Sequence, residues 1–457
     1  WTTTPGPGNG DGTQHVATIT YAADGDYQFE ITCSDMATNK DKGTDYASSL
    51  APQKFTIDRT VPVINVTYDN NSAQNGNYYK DMRTATVTID EHNFETSRIR
   101  VMMTANNDGN AVPLPAVSNW TNNGDRHVAL ITFRDDAQYT LDVDYEDKAK
   151  NASADMEMQR FYVDTVLPEL KIEGIADESA NSTSGNIGFL ITATDVNFDS
   201  FEPVLKAVVR EGNGFATKTL TVGSFENVKN GKTFRVENLE EDGIYRITCT
   251  LADKAGNEYD QVILTKKGGS EYVEGRKAGD ALVTFSVNRE GSAYELDEST
   301  KALTEKYYVR NVSNDVRVIE INADPLKSRK VTVNGRELTE GTDYEVTESG
   351  GSGKWYRYEY ALKKSLFEGE GEYVVVCSSK DKADNDAFND VKGVNAKFVV
   401  DRTPPVVTVT GLSDSGRYQT ENQRVTIVPT DDGGALKSVT VSLVERDGSV
   451  IKYLLKL

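Results

Sequence analysis

Residues 242–257 read D-G-I-Y-R-I-T-C-T-L-A-D-K-A-G-N. From Tyr245 onward, apolar side chains stand at every second position: Ile247, Cys249 and Leu251. Period two is the pattern of a half-buried β-strand, because successive side chains of a strand point to opposite faces of its sheet. A loop of turn-forming residues follows, from Asp253 to Asn257. The stretch therefore predicts one strand and the loop after it.

The same pattern occurs four times along the chain. Each copy has a Tyr, an Asp and an Asn at fixed spacing: Tyr27, Asp35 and Asn39; Tyr139, Asp147 and Asn151; Tyr245, Asp253 and Asn257; Tyr373, Asp381 and Asn385. Each is preceded by an acidic residue: Asp24, Asp136, Asp242 and Glu370. A second signature follows each copy, a Phe three residues before an Asp or Asn: Phe55 and Asp58, Phe161 and Asp164, Phe285 and Asn288, Phe398 and Asp401. The chain is therefore an array of repeats.

The second signature marks the predicted domain junctions. These junctions recur at intervals of 106, 124 and 113 residues, which is the size of a compact domain and too long for a solenoid repeat. We predict a partial repeat at 1–58, whole repeats at 59–164, 165–288 and 289–401, and a partial repeat at 402–457. The repeat 165–288 contains an inserted loop from Leu264 to Asp280, and the repeat 289–401 is divergent. The partial repeats are expected to be truncations or to be completed by another chain.

The fold class predicted from these patterns is all-β. The strands are short, hairpin turns separate them, and no convincing long amphipathic helix interrupts them, which favours β-sandwiches. The acidic residue, the small residue and the Tyr that leads each strand resemble the tyrosine corner of immunoglobulin-like domains. That resemblance implies that the Tyr hydroxyl bonds nearby backbone. The Cys and Trp that mark antibody domains are not evident, so the Ig-like sandwich is expected without its disulfide.

More narrowly, the loop Asp253 to Asn257 and the closing segment Val163 to Pro168 resemble the Ig-like repeats of large bacterial surface proteins and adhesins. This resemblance implies tandem Ig-like domains in an elongated array at the bacterial cell surface. A Pro follows most junctions, whereas the junction at Asn288 carries Gly291, so we expect that junction to be the most flexible.

Charge and residue counts exclude several functions. The net charge of −21 disfavours nucleic acid as a partner, and no apolar run is long enough to insert into a membrane. The three His residues do not form a metal pattern, and no nucleophile elbow or phosphate loop occurs. We therefore expect no enzyme. The three Cys residues lie in different repeats and are interpreted as packing residues.

Oxygen-bearing side chains recur at the predicted junctions. Loops after two strands should meet the junction residue at the same end of each sandwich. This predicts ligand groups at three junctions: Asp58, Asp90, Asp147 and Asn151; Asp164, Asp195, Asp253 and Asn257; and Asp401 with Asp431. Ca²⁺ takes six to eight oxygen ligands and would neutralise these carboxylates, so it is the candidate cofactor. The junction at Asn288 has fewer charges and should bind Ca²⁺ more weakly or not at all.

An alternative for these residues needs no metal, because Asp and Asn favour tight turns by bonding local backbone. Both interpretations stay open at this point. For the whole chain, we expect a non-enzymatic stalk or adhesive region that spaces and displays a binding region and continues into neighbouring repeats. The alternatives are a module that binds a host glycan or glycoprotein, and accessory modules of a larger extracellular enzyme. Candidate ligand-binding residues are exposed tyrosines on one strand face: Tyr356, Tyr358 and Tyr360.

Overall fold

The computed structural model of the chain describes residues 1–5, 13–29, 53–182, 187–266, 268–419, 422–433, 436–444, 448 and 450–456. Within these ranges the structure is β-strand and loop with one α-helix. Cys33, Asp35 and Asn39 of the first repeat copy lie outside the described residues. The chain divides into two compact units: unit 1 comprises 1–167, 196–199 and 252–257, and unit 2 comprises 168–195, 200–251 and 258–457.

The first strands form two antiparallel pairs. They are β1 (Thr2–Pro5) with β2 (Thr13–Val16), and β3 (Gly25–Phe29) with β4 (Gln53–Ile57). Tyr27 on β3 lies opposite Phe55 on β4, and their ring centroids are 5.5 Å apart. The two signatures of the first repeat are therefore cross-strand partners.

Sandwich 1 spans residues 63–163 and belongs to unit 1. Its strands are β5 (Val63–Tyr68), β6 (Tyr78–Tyr79), β7 (Arg83–Asp90), β8 (Ile99–Asn107), β9 (Asn110–Ala111), β10 (Thr121–Asn123), β11 (Arg126–Phe133), β12 (Ala137–Tyr145) and β13 (Gln159–Val163). They form two sheets, ordered β10-β11-β7-β5 and β6-β13-β12-β8-β9. Strand β6 runs parallel to the closing strand β13, and the other neighbours are antiparallel.

Sandwich 2 spans residues 169–287. Its strands are β14 (Glu169–Glu173), β15 (Ala180–Asn181), β16 (Phe189–Thr194), β17 (Phe198–Glu211), β18 (Gly214–Leu220), β19 (Ser224–Val228), β20 (Gly231–Val236), β21 (Gly243–Asp253), β22 (Gln261–Thr265), β23 (Glu271–Gly275) and β24 (Val283–Val287). The sheets are ordered β19-β20-β16-β14-β22-β23 and β15-β24-β21-β17-β18. The segment predicted as an inserted loop is instead largely the antiparallel hairpin of β22 and β23, which extends the first sheet.

Sandwich 3 spans residues 293–400 and belongs to unit 2. Its elements are β25 (Ala293–Leu296), α1 (Glu298–Lys306), β26 (Tyr308–Val309), β27 (Val316–Asn322), β28 (Leu326–Val333), β29 (Arg336–Glu337), β30 (Tyr344–Ser349), β31 (Tyr356–Leu362), β32 (Gly371–Asp381), β33 (Asp386–Phe388) and β34 (Ala396–Val400). The sheets are ordered β25-β27-β31-β30 and β26-β34-β32-β28-β29, with β33 beside β32. Helix α1 begins at the N-cap Asp297, whose carboxylate accepts a hydrogen bond from Thr300 N at 2.9 Å.

Two short 3₁₀ turns complete the elements before the tail, at Thr96–Arg98 and Lys364–Phe367. The tail has the strands β35 (Val406–Thr410), β36 (Thr426–Thr430), β37 (Thr440–Val444) and β38 (Val450–Lys456). Strands β35 and β36 pair antiparallel, as do β37 and β38. The residue Asp447, between β37 and β38, lies outside the described residues.

The repeat Tyr and the repeat Phe organise each core. In every copy they face each other across two strands: Tyr27 and Phe55, Tyr139 and Phe161, Tyr245 and Phe285, Tyr373 and Phe398. Each Tyr hydroxyl donates to the backbone carbonyl four residues earlier, at 2.7–3.0 Å. The predicted tyrosine corner is therefore confirmed in all four copies, and the chain is an all-β series of tandem Ig-like sandwiches.

Within unit 2, sandwich 3 packs against sandwich 2 through an apolar cluster. Its buried members are Ile244, Ile319, Ile321, Ala323 and Trp355, with Val208 packed beside them. The Trp355 indole Nε1 donates to Val208 O at 2.8 Å. An Arg210 to Glu295 ion pair of 2.5 Å joins the same two sandwiches. Gly291 has a φ of +71° at this junction, and the expectation that this junction is the most flexible stays a prediction.

Candidate functional site

Three clusters of oxygen-bearing side chains occupy equivalent places in the repeats. In each, the first residue follows a closing strand, and the others lie at or just after the ends of two strands: β7 and β12 in sandwich 1, β16 and β21 in sandwich 2, and β27 and β32 in sandwich 3. Cluster 1 consists of Asp58, Glu91, Asn93, Asp147 and Asn151, cluster 2 of Asp164, Asn197, Asp253 and Asn257, and cluster 3 of Asn288, Asn322, Asp324, Asp381 and Asn385. The clusters form because those loops lie at the end of the sandwich where the chain enters.

Cluster 1 holds three carboxylates close together. One oxygen from each of Asp58, Glu91 and Asp147 lies within 4.8 Å of the others, and Asp147 is fully buried. Two amides bind the carboxylates: Asn93 Nδ2 donates to Asp58 Oδ2 at 2.7 Å, and Asn151 Nδ2 donates to Asp147 Oδ2 at 2.7 Å. Asn151 Nδ2 also donates to Asp58 O at 3.2 Å, so it ties the loop to the segment that enters the sandwich.

Cluster 2 repeats these bonds. Asn197 Nδ2 donates to Asp164 Oδ2 at 2.6 Å, and Asn257 Nδ2 donates to Asp253 Oδ2 at 2.7 Å and to Asp164 O at 2.8 Å. The Asn257 backbone N–H donates to Asp253 Oδ1 at 2.9 Å, the counterpart of the bond from Asn151 N to Asp147 Oδ1. The predicted ligand Asp195, two residues before Asn197, is buried, and its role as a ligand stays a prediction.

Cluster 3 differs in the residue that enters it. Asn288 is fully buried, and its Nδ2 donates to Asp324 Oδ2 at 2.9 Å, to Asp381 Oδ2 at 2.9 Å and to Asn322 Oδ1 at 2.8 Å. An amide N–H₂ therefore stands where clusters 1 and 2 have a carboxylate. The loop bond is retained, because Asn385 Nδ2 donates to Asn288 O at 2.8 Å.

Most carboxylates of clusters 1 and 2 are buried, and within the described residues they lie near one another without a hydrogen-bonded positive charge that would balance them. Burial raises the pKa of Glu91, the N–H of Asn93 lowers it, and the carboxylates of Asp58 and Asp147 raise it further. Burial raises the pKa of Asp164 to about 6, with a further contribution from Asp253. In the described part of the chain, no Lys or Arg side chain donates to a carboxylate of either cluster.

The donor chemistry of cluster 1 fits a hard divalent cation. Three carboxylates supply up to six oxygens if each binds through both, and Ca²⁺ takes six to eight oxygen ligands at 2.3–2.6 Å. The amide nitrogens of Asn93 and Asn151 donate to the carboxylates and orient them, and the predicted role of Asn151 as a ligand stays a prediction. Burial is the main cause of the raised pKa of Glu91, and a cation would relieve the additional repulsion from Asp58 and Asp147.

One predicted ligand of cluster 1, Asp90, faces away from the cluster, whereas the ligand roles of Asp401 and Asp431 stay predictions. Asp90 is an exposed last residue of β7, and the following residue, Glu91, turns into cluster 1 instead. Asp90 is exposed because side chains alternate between the two faces of a strand, which turns Asp90 outward and Glu91 inward. Asp401 and Asp431 are half-buried, and Asp401 Oδ1 accepts from Thr403 N at 3.2 Å.

The exposure expected for Tyr356, Tyr358 and Tyr360 is wrong. Tyr358 and Tyr360 belong to the core of sandwich 3 and are 3% and 0% exposed, and Tyr356 packs half-buried against the same core. Their shared face of β31 points inward, where the Tyr360 hydroxyl donates to Glu320 Oε2 at 2.5 Å. Only Tyr356 keeps accessible ring surface.

A set of residues noted in the sequence without a role proves to bind the next repeat. The acidic residue three positions before each repeat Tyr accepts hydrogen bonds from the start of the following segment. Asp24 accepts from Arg59, Asp136 from Thr165, Asp242 from Arg289 and Glu290, and Glu370 from Arg402. Its recurrence in all four copies was the signal that could have identified it.

Comparison with known families adds one match, which covers residues 354–447. These residues match the bacterial Ig-like domain (group 3). The matched stretch runs from just before β31 across Asp401 to beyond β37. The segment from β31 to β37 is thus similar to a bacterial Ig-like domain, a family that is generally noncatalytic.

Among solved structures, the chain is similar to the crystal structure of Dpr2 Ig1-Ig2 in complex with DIP-Theta Ig1-Ig3. The identity is 11% and the TM-score 0.34, and the alignment covers 75% of this chain and 99% of that chain. No curated protein matches the sequence. Among the described residues, no helix is both long and apolar enough to cross a bilayer.

Proposed function

We propose that the chain is a non-enzymatic stalk or adhesive region of a bacterial cell-surface protein, which spaces and displays a binding region. The observation that carries this proposal is the recurrence of one set of bonds where successive repeats meet. At each of three clusters a loop Asn donates to the carbonyl of the entering residue: Asn151 to Asp58, Asn257 to Asp164, and Asn385 to Asn288. A chain that displays a distant region needs such bonds at every junction, whereas a catalytic site needs its residues once. The match of residues 354–447 to a bacterial Ig-like domain supports the extracellular location.

Cluster 1 and cluster 2 are the proposed Ca²⁺ sites. At cluster 1 the ligands are Asp58, Glu91 and Asp147, and at cluster 2 they include Asp164 and Asp253. Bound Ca²⁺ supplies positive charge that links the carboxylate of the entering segment to those of the loops. Asparagine amides hold the carboxylates in place. Asn93 and Asn197 orient the carboxylates of the entering segments, and Asn151 and Asn257 orient the carboxylates of the loops. The result is a stiffer junction when Ca²⁺ is present.

Cluster 1 offers a matched pair of variants to test the Ca²⁺ sites. Glu91→Gln removes a proposed ligand, whereas Asp90→Asn removes the same charge from the adjacent exposed residue. Equilibrium dialysis of the full chain should show Ca²⁺ affinity at cluster 1 falling about tenfold or more in Glu91→Gln, the loss of one charged ligand, and little change in Asp90→Asn. No bound Ca²⁺ at millimolar free ion, or an equal loss in Asp90→Asn, would refute the assignment.

The display role has a separate test. Small-angle scattering of the full chain should give an elongated profile, and chelation of Ca²⁺ should broaden the distribution of end-to-end distances because clusters 1 and 2 lose their cation. A compact profile would contradict the stalk. An elongated profile that chelation does not change would contradict only the stiffening by Ca²⁺ and would leave the stalk in place.

A further inference from the structure

One sheet of sandwich 2 has an outward face that sandwich 3 covers only in part. This sheet contains β21 and β17, and along both strands residues of the buried core alternate with outward residues. Trp355 and its apolar neighbours cover one region of the face. The adjoining region is the floor of a cleft of ≈ 740 Å³ within unit 2, and sandwich 3 forms the walls.

Four cationic side chains line the cleft, and in the described part of the chain three of them have no side-chain partner. Lys206 and Arg246 rise from the floor, and Lys354 and Lys382 stand on the walls. Within the described chain, Lys206, Arg246 and Lys354 have neither an ion pair nor a side-chain hydrogen bond, and Lys382 Nζ donates to the carbonyl of Glu178 at 2.8 Å. Two acidic residues also line the cleft, Glu178 and Asp324, but the Asp324 carboxylate is buried and accepts from Ser286 and Asn288. The cleft is therefore cationic in a chain whose net charge is −21.

The other lining groups are hydroxyls and one aromatic ring. Thr217 and Thr284 lie on the floor, on the strands next to those of Lys206 and Arg246. Tyr356 lies on the wall, and the loop before it passes beside the ring: a Cβ on Gly351 would be 3.2 Å from Tyr356 Cε1. Residues Gly350, Gly351 and Gly353 have φ of +97°, +81° and +82°, a conformation that glycine adopts without strain. The loop can therefore lie against the ring and place Lys354 at the cleft.

We propose that this cleft binds an acidic oligosaccharide, one that carries carboxylate or sulfate groups. The unpaired cations provide the partners for those groups, the Thr hydroxyls bond sugar hydroxyls, and Tyr356 offers a ring for a sugar face. An open polar cleft suits a hydrophilic, extended ligand better than a compact apolar one.

The charge of the whole chain selects against longer polyanions. Duplex nucleic acid carries one charge per roughly 1.7 Å, and most of it would extend beyond the cleft over an acidic surface. A short acidic oligosaccharide places its few charges beside Lys206, Arg246 and Lys354 only. This ligand site goes beyond the spacing role and does not depend on Ca²⁺.

An oligosaccharide array tests the proposal with the full chain. The array carries uronate-bearing, sialylated, sulfated and neutral oligosaccharides, and it is probed once in Ca²⁺ and once in EDTA. We expect at least one acidic class to bind in both conditions and the neutral class not to bind. Isothermal titration with an acidic oligosaccharide that binds on the array then gives the affinities of the variants. Loss of binding in EDTA would refute the independence from Ca²⁺, whereas the Ca²⁺ sites themselves are tested by dialysis.

The variants compare equal charge changes at two places. Lys206→Glu with Arg246→Glu reverses two cations of the cleft and should weaken binding about tenfold or more, because like charges then face the ligand. The control, Lys301→Glu with Lys306→Glu on exposed positions of α1, changes the net charge equally and should alter affinity less than about twofold. Lys354→Gln tests the wall of the cleft, because it removes one positive charge without reversing it, and it should weaken binding less than the double reversal. Absence of any acidic ligand, equal binding of neutral sugars, or equal losses in the reversal and the control would overturn the proposal.

Discussion

Replacing Asn288 by Asp should turn a cation-independent cluster into one that requires Ca²⁺. In the native chain the Asn288 amide donates to the carboxylates of Asp324 and Asp381, each at 2.9 Å. Asn288→Asp removes both bonds and adds a third buried carboxylate. Cluster 3 then has the same charges at its entering position as clusters 1 and 2.

The expected size of the effect follows from those two bonds. A hydrogen bond to a charged group contributes about 1.5–3 kcal/mol, so the loss of two should destabilise the loop by ~3–6 kcal/mol when no cation is present. Because about 1.4 kcal/mol is a factor of ten, opening of the loop should become about a hundredfold to ten-thousandfold more frequent. Ca²⁺ at 100 times its dissociation constant should restore about 2.7 kcal/mol.

Hydrogen exchange measured by mass spectrometry resolves this loop in the full chain. The reporters are the amides of Asp381 and Asn385, which donate to Asn385 O at 3.1 Å and to Asp381 Oδ1 at 2.9 Å. In Asn288→Asp their exchange should accelerate in EDTA and slow again in Ca²⁺. The native chain should show no such dependence at these two amides.

Asn389→Asp is the matched control. Asn389 is also fully buried, but its Nδ2 donates to the carbonyls of Val375 and Val394 rather than to carboxylates. Asn389→Asp should therefore destabilise sandwich 3 without any rescue by Ca²⁺. If Ca²⁺ fails to slow exchange in Asn288→Asp, or rescues Asn389→Asp equally, the equivalence of the three clusters is refuted.

Three further outcomes follow from named contacts. Asp164 has a pKa raised from 3.8 to about 6, so in EDTA cluster 2 should lose stability as pH rises through this range, seen as lower protection factors of its loop amides. Trp355→Ala removes a buried indole and should cost ~3–5 kcal/mol in urea unfolding of unit 2, whereas Trp355→Phe keeps part of the packing and should cost less. Tyr245→Phe removes the bond from the hydroxyl to Glu241 O at 2.7 Å and should lower the stability of sandwich 2 by about 1 kcal/mol in thermal unfolding.

Each of these has an outcome that contradicts it. For Asp164, protection factors that stay constant from pH 4 to 6 in EDTA would show that the carboxylate is not destabilised by burial. For Trp355, equal unfolding free energies of the Ala variant and the native chain would mean that the apolar cluster does not join the sandwiches in solution. For Tyr245, the control is Tyr308→Phe at an exposed position, and a similar loss there would exclude the tyrosine corner as the cause.

The sequence predicts the repeated parts of the fold because the same spacing recurs. Tyr139 and Phe161 belong to separate signatures, yet they are register partners, so the fixed distance between them reflects one hairpin geometry. The loop residues Asp147 and Asn151 are likewise located by recurrence. What recurs in every copy can be recognised without coordinates.

Residues that depend on the exact end of a strand or on a neighbouring sandwich cannot be predicted this way. Glu91 rather than Asp90 enters cluster 1 because a shift of one residue along β7 reverses the face. The spacing of Tyr358 and Tyr360 places both on one face of β31, but it does not say whether that face points into the core or toward solvent. The place of β31 in its sheet turns this face inward. The packing of Trp355 on sandwich 2 involves residues about 150 positions apart, at Val208, and no local pattern records it.

The parallel pairing of β6 with β13 determines how sandwich 1 would respond to tension. A pull on the two ends of the sandwich would load all hydrogen bonds between these strands at once, in shear, instead of breaking them one after another as in an opened hairpin. The short strands β15 with β24 and β26 with β34 repeat the arrangement in the other two sandwiches. Each sandwich thus has a contact that resists shear at the place where its second strand meets its last strand.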